Sequence, residues 1–134
     1  MKRDKSIYES YVCPRCWNTL DNCTCELFPP YDLVHIDINI QEHIRILNAK
    51  GYHTRYCCEG HGVGTGTYIA FGRDWFEDVD MPNGFKYHKK NRTISYVYVR
   101  KKMTDEQIEA LKQENLSALL AWIKELPDIN IQRE

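Results

Sequence analysis

From Asp37 onward, Ile40, Ile44 and Leu47 recur at i, i+4 and i+7 with polar positions between them, which is the apolar stripe of an amphipathic helix. Asn39 followed by Glu42 reads as a capping box, with Asp37 as a competing cap, and Gly51 has the character of a helix C-cap. The rhythm predicts a helix over 38–50. It then shortens to strand patterns. Residues 52–58 are rich in β-formers (Tyr52, Thr54, Tyr56), and 67–71 form a compact apolar run. Residues 93–100 alternate, with Ile94, Tyr96 and Tyr98 on one face and Val97 and Val99 on the other. Between the last two lies an irregular stretch, 73–91, long enough to suggest a functional loop or partial lid, with a short helix over 74–79 as the other reading. A second helix opens at the capping box Thr104-Asp105-Glu106-Gln107, carries Ile108, Leu111, Leu119, Leu120 and Ile123 as its core face, and ends at Pro127.

Together these elements predict an α+β fold: a small, mostly antiparallel sheet packed on two helices. The chain divides into residues 1–30, a cysteine-rich knuckle and linker, and 31–134, the α+β core, in one compact unit overall. The linker lies at Glu26-Leu27-Phe28-Pro29-Pro30-Tyr31, where two prolines break helix and favour extended backbone.

At 134 residues the chain suits one domain. Hydrophobic residues at 43% and charged residues at 28% exclude collagen-like, coiled-coil and wholly disordered classes. No apolar run approaches the length of a membrane span, so no membrane partner is expected. The charged start Met1-Lys2-Arg3-Asp4-Lys5 is not followed by the apolar stretch of a secretory signal, which predicts a cytoplasmic location. Eighteen basic against nineteen acidic residues exclude nucleic-acid binding by bulk charge, and any such contact must be local.

Cysteine changes the picture most. Four of six fall in Cys13-Pro-Arg-Cys16 and Cys23-Thr-Cys25, two short pairs joined by a loop that Asp21-Asn22 can turn. Clustered thiols in a reducing compartment bind metal more often than they form disulfides. Tetrahedral Zn²⁺ with four thiolates needs this arrangement, so Cys13, Cys16, Cys23 and Cys25 are the predicted zinc ligands of a structural knuckle. A redox dithiol is the competing reading.

The remaining pair opens Cys57-Cys58-Glu59-Gly60-His61-Gly62-Val63-Gly64-Thr65-Gly66, which holds four of the seven glycines. Glycine-rich backbone can approach a ligand closely and present amides to an anion. This is neither a Walker loop nor a dinucleotide fingerprint. Four readings stand: a second metal on Cys57 or Cys58 with His61, a thiol nucleophile activated by His61, a ligand site using Glu59 and His61, and a buried cysteine pair followed by a wide turn.

Over residues 13–72, the Cys-Pro-x-Cys and Cys-x-Cys pairs, Ile36-Asp37, the segment from Leu47 to His61 and Tyr68-Ile69-Ala70-Phe71 resemble small proteins of bacterial phages and prophages. That resemblance implies a phage context in a bacterial host cell, and no activity. A shorter likeness, at Thr54, Cys58 and Gly60, is to wybutosine-synthesis tRNA methyltransferases. Glu59 and His61 depart from that pattern, so it implies a ligand-binding corner and not tRNA or methyl-donor binding.

From Phe85 to Lys102 the chain carries Lys86, Lys89, Lys90, Arg92, Arg100, Lys101 and Lys102 with no acid, interleaved with Tyr87, His88, Tyr96 and Tyr98. Such a mixture can contact phosphates and stack on bases, or be a solvated loop beside the acidic Asp74, Glu77, Asp78 and Asp80. The sequence therefore predicts a zinc protein binding a small anionic ligand, a nucleotide, between Cys57, Cys58, Glu59, Gly60, His61 and Gly62 on one side and Lys89, Lys90 and Arg92 on the other. In a phage protein this would serve to sequester a host signalling nucleotide. The alternatives are a nucleic-acid-binding zinc regulator and an enzyme using Cys58 and His61. A homo-oligomer with sites at its symmetric interface fits any of them.

Overall fold

Two helical stripes and several short alternating runs resolve, in a computed structural model, into a two-layer α+β domain. The structure describes residues 10–19, 22–25, 33–60, 66–82, 84–97 and 103–129. In order these form β1 (Tyr11–Val12), β2 (Val34–His35), a 3₁₀ turn (Ile38–Ile40) running into α1 (Gln41–Lys50), β3 (Thr54–Cys58), β4 (Gly66–Phe71), β5 (Lys86–His88), β6 (Thr93–Val97) and α2 (Asp105–Glu125). The linker at 26–31 and the end of the last predicted strand, 98–100, lie outside the described residues.

β1 and β2 form a small antiparallel ribbon, and the other four strands form one antiparallel sheet in the order β3-β4-β6-β5. Its faces follow from the period of two. Thr67, Ile69 and Phe71 of β4 are buried, while Tyr68 between them is exposed. Ile69 pairs with Cys57 on one side and Ile94 on the other, and Ile94 pairs with Tyr87, so these residues share the inner face. Both helices pack there, giving a core of Ile40, Ile44, Leu47, Ile69, Phe71, Phe76, Ile94, Leu119 and Ile123. The outer face carries no helix among the described residues. A sheet wetted on one side reads apolar and polar in alternation, as β4 does.

The predicted caps divide. Gly51 ends α1 in the left-handed region at φ 102°, a conformation open to glycine without strain. Thr104 and Gln107 form the expected reciprocal capping box on α2, which ends at Glu125 because Leu126, preceding Pro127, is held extended. The capping box at α1 does not form. The α-helix proper begins after Ile40, and neither Asp37 nor Ile40 gives a side-chain cap. The Asp37 carboxylate instead accepts from the Glu59 amide at 3.0 Å, and the Asn39 amide donates to the Glu59 carboxylate at 3.0 Å. The start of α1 is thus tied to the end of β3.

Among the described residues the 73–91 stretch contains no helix. Its Trp75 and Phe76 turn inward, and Phe76 rests against Phe71, Tyr52 and Trp122 with ring centroids 4.9, 5.4 and 5.5 Å away. The segment closes one end of the core, and the burial of Phe76 holds it in place of a helix. Lys86–His88 then form a strand inside the stretch expected to be irregular, because three residues carry too little pattern to stand out. Gly84, at φ 82°, precedes it. A Cβ there would stand 2.3 Å from the Tyr96 ring, so the close approach of the two strands requires glycine.

α1 and α2 are joined by polar contacts as well as apolar ones. The Lys50 ammonium donates to the carbonyls of Ile123, Lys124 and Leu126 at 3.0, 2.7 and 2.6 Å, satisfying orphan acceptors at the end of α2. Buried His43 shares a 2.7 Å hydrogen bond with the Leu116 carbonyl through Nε2, while its Nδ1 has no partner among the described residues.

Candidate functional site

The knuckle is built by tight turns. Trp17 donates its amide to the Cys13 carbonyl at 2.8 Å, and Cys13 donates to the Asn18 carbonyl at 2.9 Å. Trp17 itself takes φ 61°, unusual for a bulky residue, and this folds Cys16 back toward Cys13. Cys23 and Cys25 arrive from the other side. The four Sγ atoms all lie within 4.8 Å of one another. Ideal tetrahedral Zn–S bonds put the sulfurs about 3.8 Å apart, so the cluster is close to that geometry with the thiols free. Amides of Arg15 and Cys25 donate to the sulfurs of Cys13 and Cys23, each at 3.3 Å, as backbone around a thiolate site does. These four cysteines can hold a metal ion.

Without a metal the thiols share protons unevenly. Burial raises Cys16, but hydrogen bonds from the Asn18 backbone and side chain, and from Cys23 and Cys13, outweigh it and bring its pKa down to about 7. Burial pushes Cys23 up to about 12 and also raises Cys25, which stands beside Cys13.

The corner after β3 has a different character. Cys57 pairs with buried Ile69, and Cys58 pairs with exposed Tyr68, so the adjacent thiols point to opposite faces of the sheet. Burial, reinforced by Asp37 and Cys58, pushes Cys57 up to about 12. Burial and the Asp37 carboxylate also raise Cys58. An activated nucleophile needs a lowered pKa, and among the described residues none lowers Cys57 or brings Cys58 below its ordinary value. Glu59 is committed to the Asn39 amide, and the Gly60 carbonyl accepts from buried Lys112 at 3.2 Å. Lys112 also stands 3.7 Å from Glu59 and 3.2 Å from Glu109. Sequence patterning missed Lys112, since a lysine in a helix reads as solvent-facing. His61 and Gly62 lie outside the described residues.

Lys89, Lys90 and Arg92 belong to the β5–β6 turn. Because β6 runs antiparallel to β4, with Thr93 opposite Ala70 and Val97 opposite Gly66, that turn lies at the Phe71 end of β4. The glycine-rich corner lies at the Gly66 end. About 17 Å of strand separates them, too far for one small ligand within a single chain. Lys89 is ion-paired with Glu77, both exposed, and Lys90 is exposed.

What the fold does assemble is a groove on the outer sheet face. A shallow depression of about 590 Å³ is lined by Tyr56, Tyr68, His88, Asn91, Thr93 and Ser95. Tyr56 is 65% exposed and Tyr68 39% exposed. The depression continues past both tyrosines into a niche of about 190 Å³ at the β3 edge, walled by Trp17 of the knuckle, His35 and Arg55. Trp17 of the niche wall directly follows Cys16, so the four-cysteine cluster adjoins that wall in sequence. Period-two alternation in 54–58 was the signal for Tyr56, and only the strand order brought Tyr68 beside it.

Compared with known families, curated proteins and solved structures, the chain matches none. No helix among the described residues is long and apolar enough to cross a membrane.

Proposed function

We propose that Cys13, Cys16, Cys23 and Cys25 hold one Zn²⁺, and that this zinc is the structural ion of a binding protein whose ligand is a nucleotide-type anion received on the open sheet face. The observation that carries the reading is the convergence of four free thiols within 4.8 Å, in the segment that supplies the Trp17 wall. A closed four-thiolate set offers no open coordination position, so the ion supplies folding energy and not Lewis-acid chemistry. The ligand is assigned to the face because its lining offers two exposed tyrosine rings and hydrogen-bonding groups on His88, Asn91, Thr93 and Ser95, and among the described residues no carboxylate. Rings of that kind stack on the flat base of a nucleotide, and Lys86 and Arg55 at the margins would donate to its phosphate.

In a phage-type protein acting in the bacterial cytoplasm, such binding would withhold a host signalling nucleotide.

Native mass spectrometry of the gently purified protein tests the metal, with one zinc per chain expected. Titration with ATP, followed by tyrosine fluorescence, tests the face, and Tyr56→Ala should weaken the response about tenfold. A zinc-free protein, or ATP binding indifferent to Tyr56, would sink the respective half of the reading.

A further inference from the structure

We infer that the natural occupant of the open face is a single strand of nucleic acid, with bases stacked on Tyr56 and Tyr68. This rests on the nucleotide-face reading above and extends it from one nucleotide to a strand. Tyr56 pairs with Ala70, and Tyr68 pairs with Cys58, so the two rings stand on a diagonal between neighbouring strands. Diagonal cross-strand neighbours are about 7 to 8 Å apart, close to the spacing of consecutive bases in an unstacked single strand. Tyr56 is 65% exposed and Tyr68 39%, and both project from the face opposite the helices.

The surroundings suit a polyanion better than an apolar partner. Lys86 lies on the same outer face, since it pairs with Ser95, which lines the depression. Arg55 stands at the β3 edge with its guanidinium 5.8 Å from the Tyr56 ring centroid, and Lys90 is exposed in the turn beside Asn91. Three cations border a lining that carries no carboxylate among the described residues, with Asp37 beyond Tyr68 beside Cys58, and they match a phosphate backbone crossing the sheet. Base edges then meet the Ser95 hydroxyl and the His88 ring, which already share a 2.8 Å hydrogen bond. The depression is shallow and continues into the Trp17 niche, a shape that suits an extended chain passing over a platform.

The test uses the full zinc-loaded chain and fluorescence anisotropy with labelled oligothymidylate and oligouridylate of about ten nucleotides, within the site sizes typical of such platforms. The duplex of the same length and ATP serve as comparisons. Binding of a single strand at least tenfold tighter than ATP and than the duplex is expected. Tyr56→Ala and Tyr68→Ala should each weaken it about tenfold, and Tyr56→Ala should do so with unchanged melting temperature, because its side chain is 65% exposed. Log affinity against log salt should fall with a slope of about −2, and Lys86→Ala should reduce that slope by about 0.7. ATP binding with no gain from the strand overturns the inference and leaves the nucleotide reading standing. Absence of binding to ATP and strand alike overturns both. Duplex preference, or a dimer in sedimentation that Tyr56→Ala dissociates, assigns the face to another occupant and overturns the strand.

Discussion

Two sets of cysteines in this chain have the same chemistry and opposite surroundings. The knuckle thiols converge on one point, four sulfurs within 4.8 Å, in a segment that among the described residues adds chiefly Val12 and Trp17 to the apolar packing. Cys57 and Cys58 are adjacent in sequence, yet the pleat of β3 sends them to opposite faces. Spacing of two or one between cysteines lets turns bring thiols together, whereas direct adjacency in a strand drives them apart. The first set suits a metal, and the second belongs to the body of the protein, one thiol packed against the core and one on the open face.

The difference can be tested most severely by removing the metal. A strong chelator, or Cys13→Ser with Cys16→Ser, should release the knuckle while sparing the body, since apparent zinc-folding energies in such segments reach about 10 kcal/mol. Hydrogen exchange should then show the Trp17 and Cys13 amides losing protection while β3, β4 and β6 keep theirs. In the same sample the knuckle thiols should alkylate like free peptide thiols, with Cys57 lagging far behind. Loss of protection throughout the sheet would mean the two regions are one folding unit.

The converse perturbation strikes the body alone. Phe76→Ala, which empties the aromatic plug at the end of the core, should cost about 4 kcal/mol in denaturant unfolding and leave the zinc content at one per chain. Loss of zinc in this variant would contradict the separation.

Lys112→Ala is expected to destabilise by about 2 kcal/mol, because it strips a buried donor from the Gly60 carbonyl and from Glu59. Lys89→Ala, which breaks an exposed pair with Glu77, should fall within about 0.5 kcal/mol of the parent. Equal effects would show that burial of Lys112 does not matter.

The smallest effect is in pH. Burial lowers the pKa of His43 below its usual 6.5, against the opposing hydrogen bond to Leu116. The folded state therefore binds fewer protons at this group than the unfolded state. Its contribution is fully present above about pH 6.5 and is lost as pH falls from there toward the lowered folded value, at no more than about 1.4 kcal/mol per pH unit. Urea midpoints across that window should decline, and His43→Gln should flatten the decline. An unchanged slope in the variant would assign it to other groups.

The legible parts were those whose signal is local. The i, i+4, i+7 stripe of α1, Gly51, the Thr104 capping box and the spacing of Cys13, Cys16, Cys23 and Cys25 each depend on residues near one another in sequence, so the chain alone announces them. Cap assignment at Asp37 and Asn39 failed because Glu59, twenty residues from Asn39, competed for the same groups. β5 was missed because three residues hold too little periodicity, and Phe76 because loop composition does not reveal a buried ring.

By itself the sequence determined the α+β class, the end of α1, both ends of α2, and a four-thiol cluster able to hold a metal, since short-range sterics and hydrogen bonding decide those. Only the tertiary structure decided that the glycine corner and the basic turn lie at opposite ends of β4, and that Tyr56 and Tyr68 share an open face bordered by Trp17. Neighbours across a sheet are set by strand order and register, and these follow from burial of the whole inner face rather than from any local run of residues.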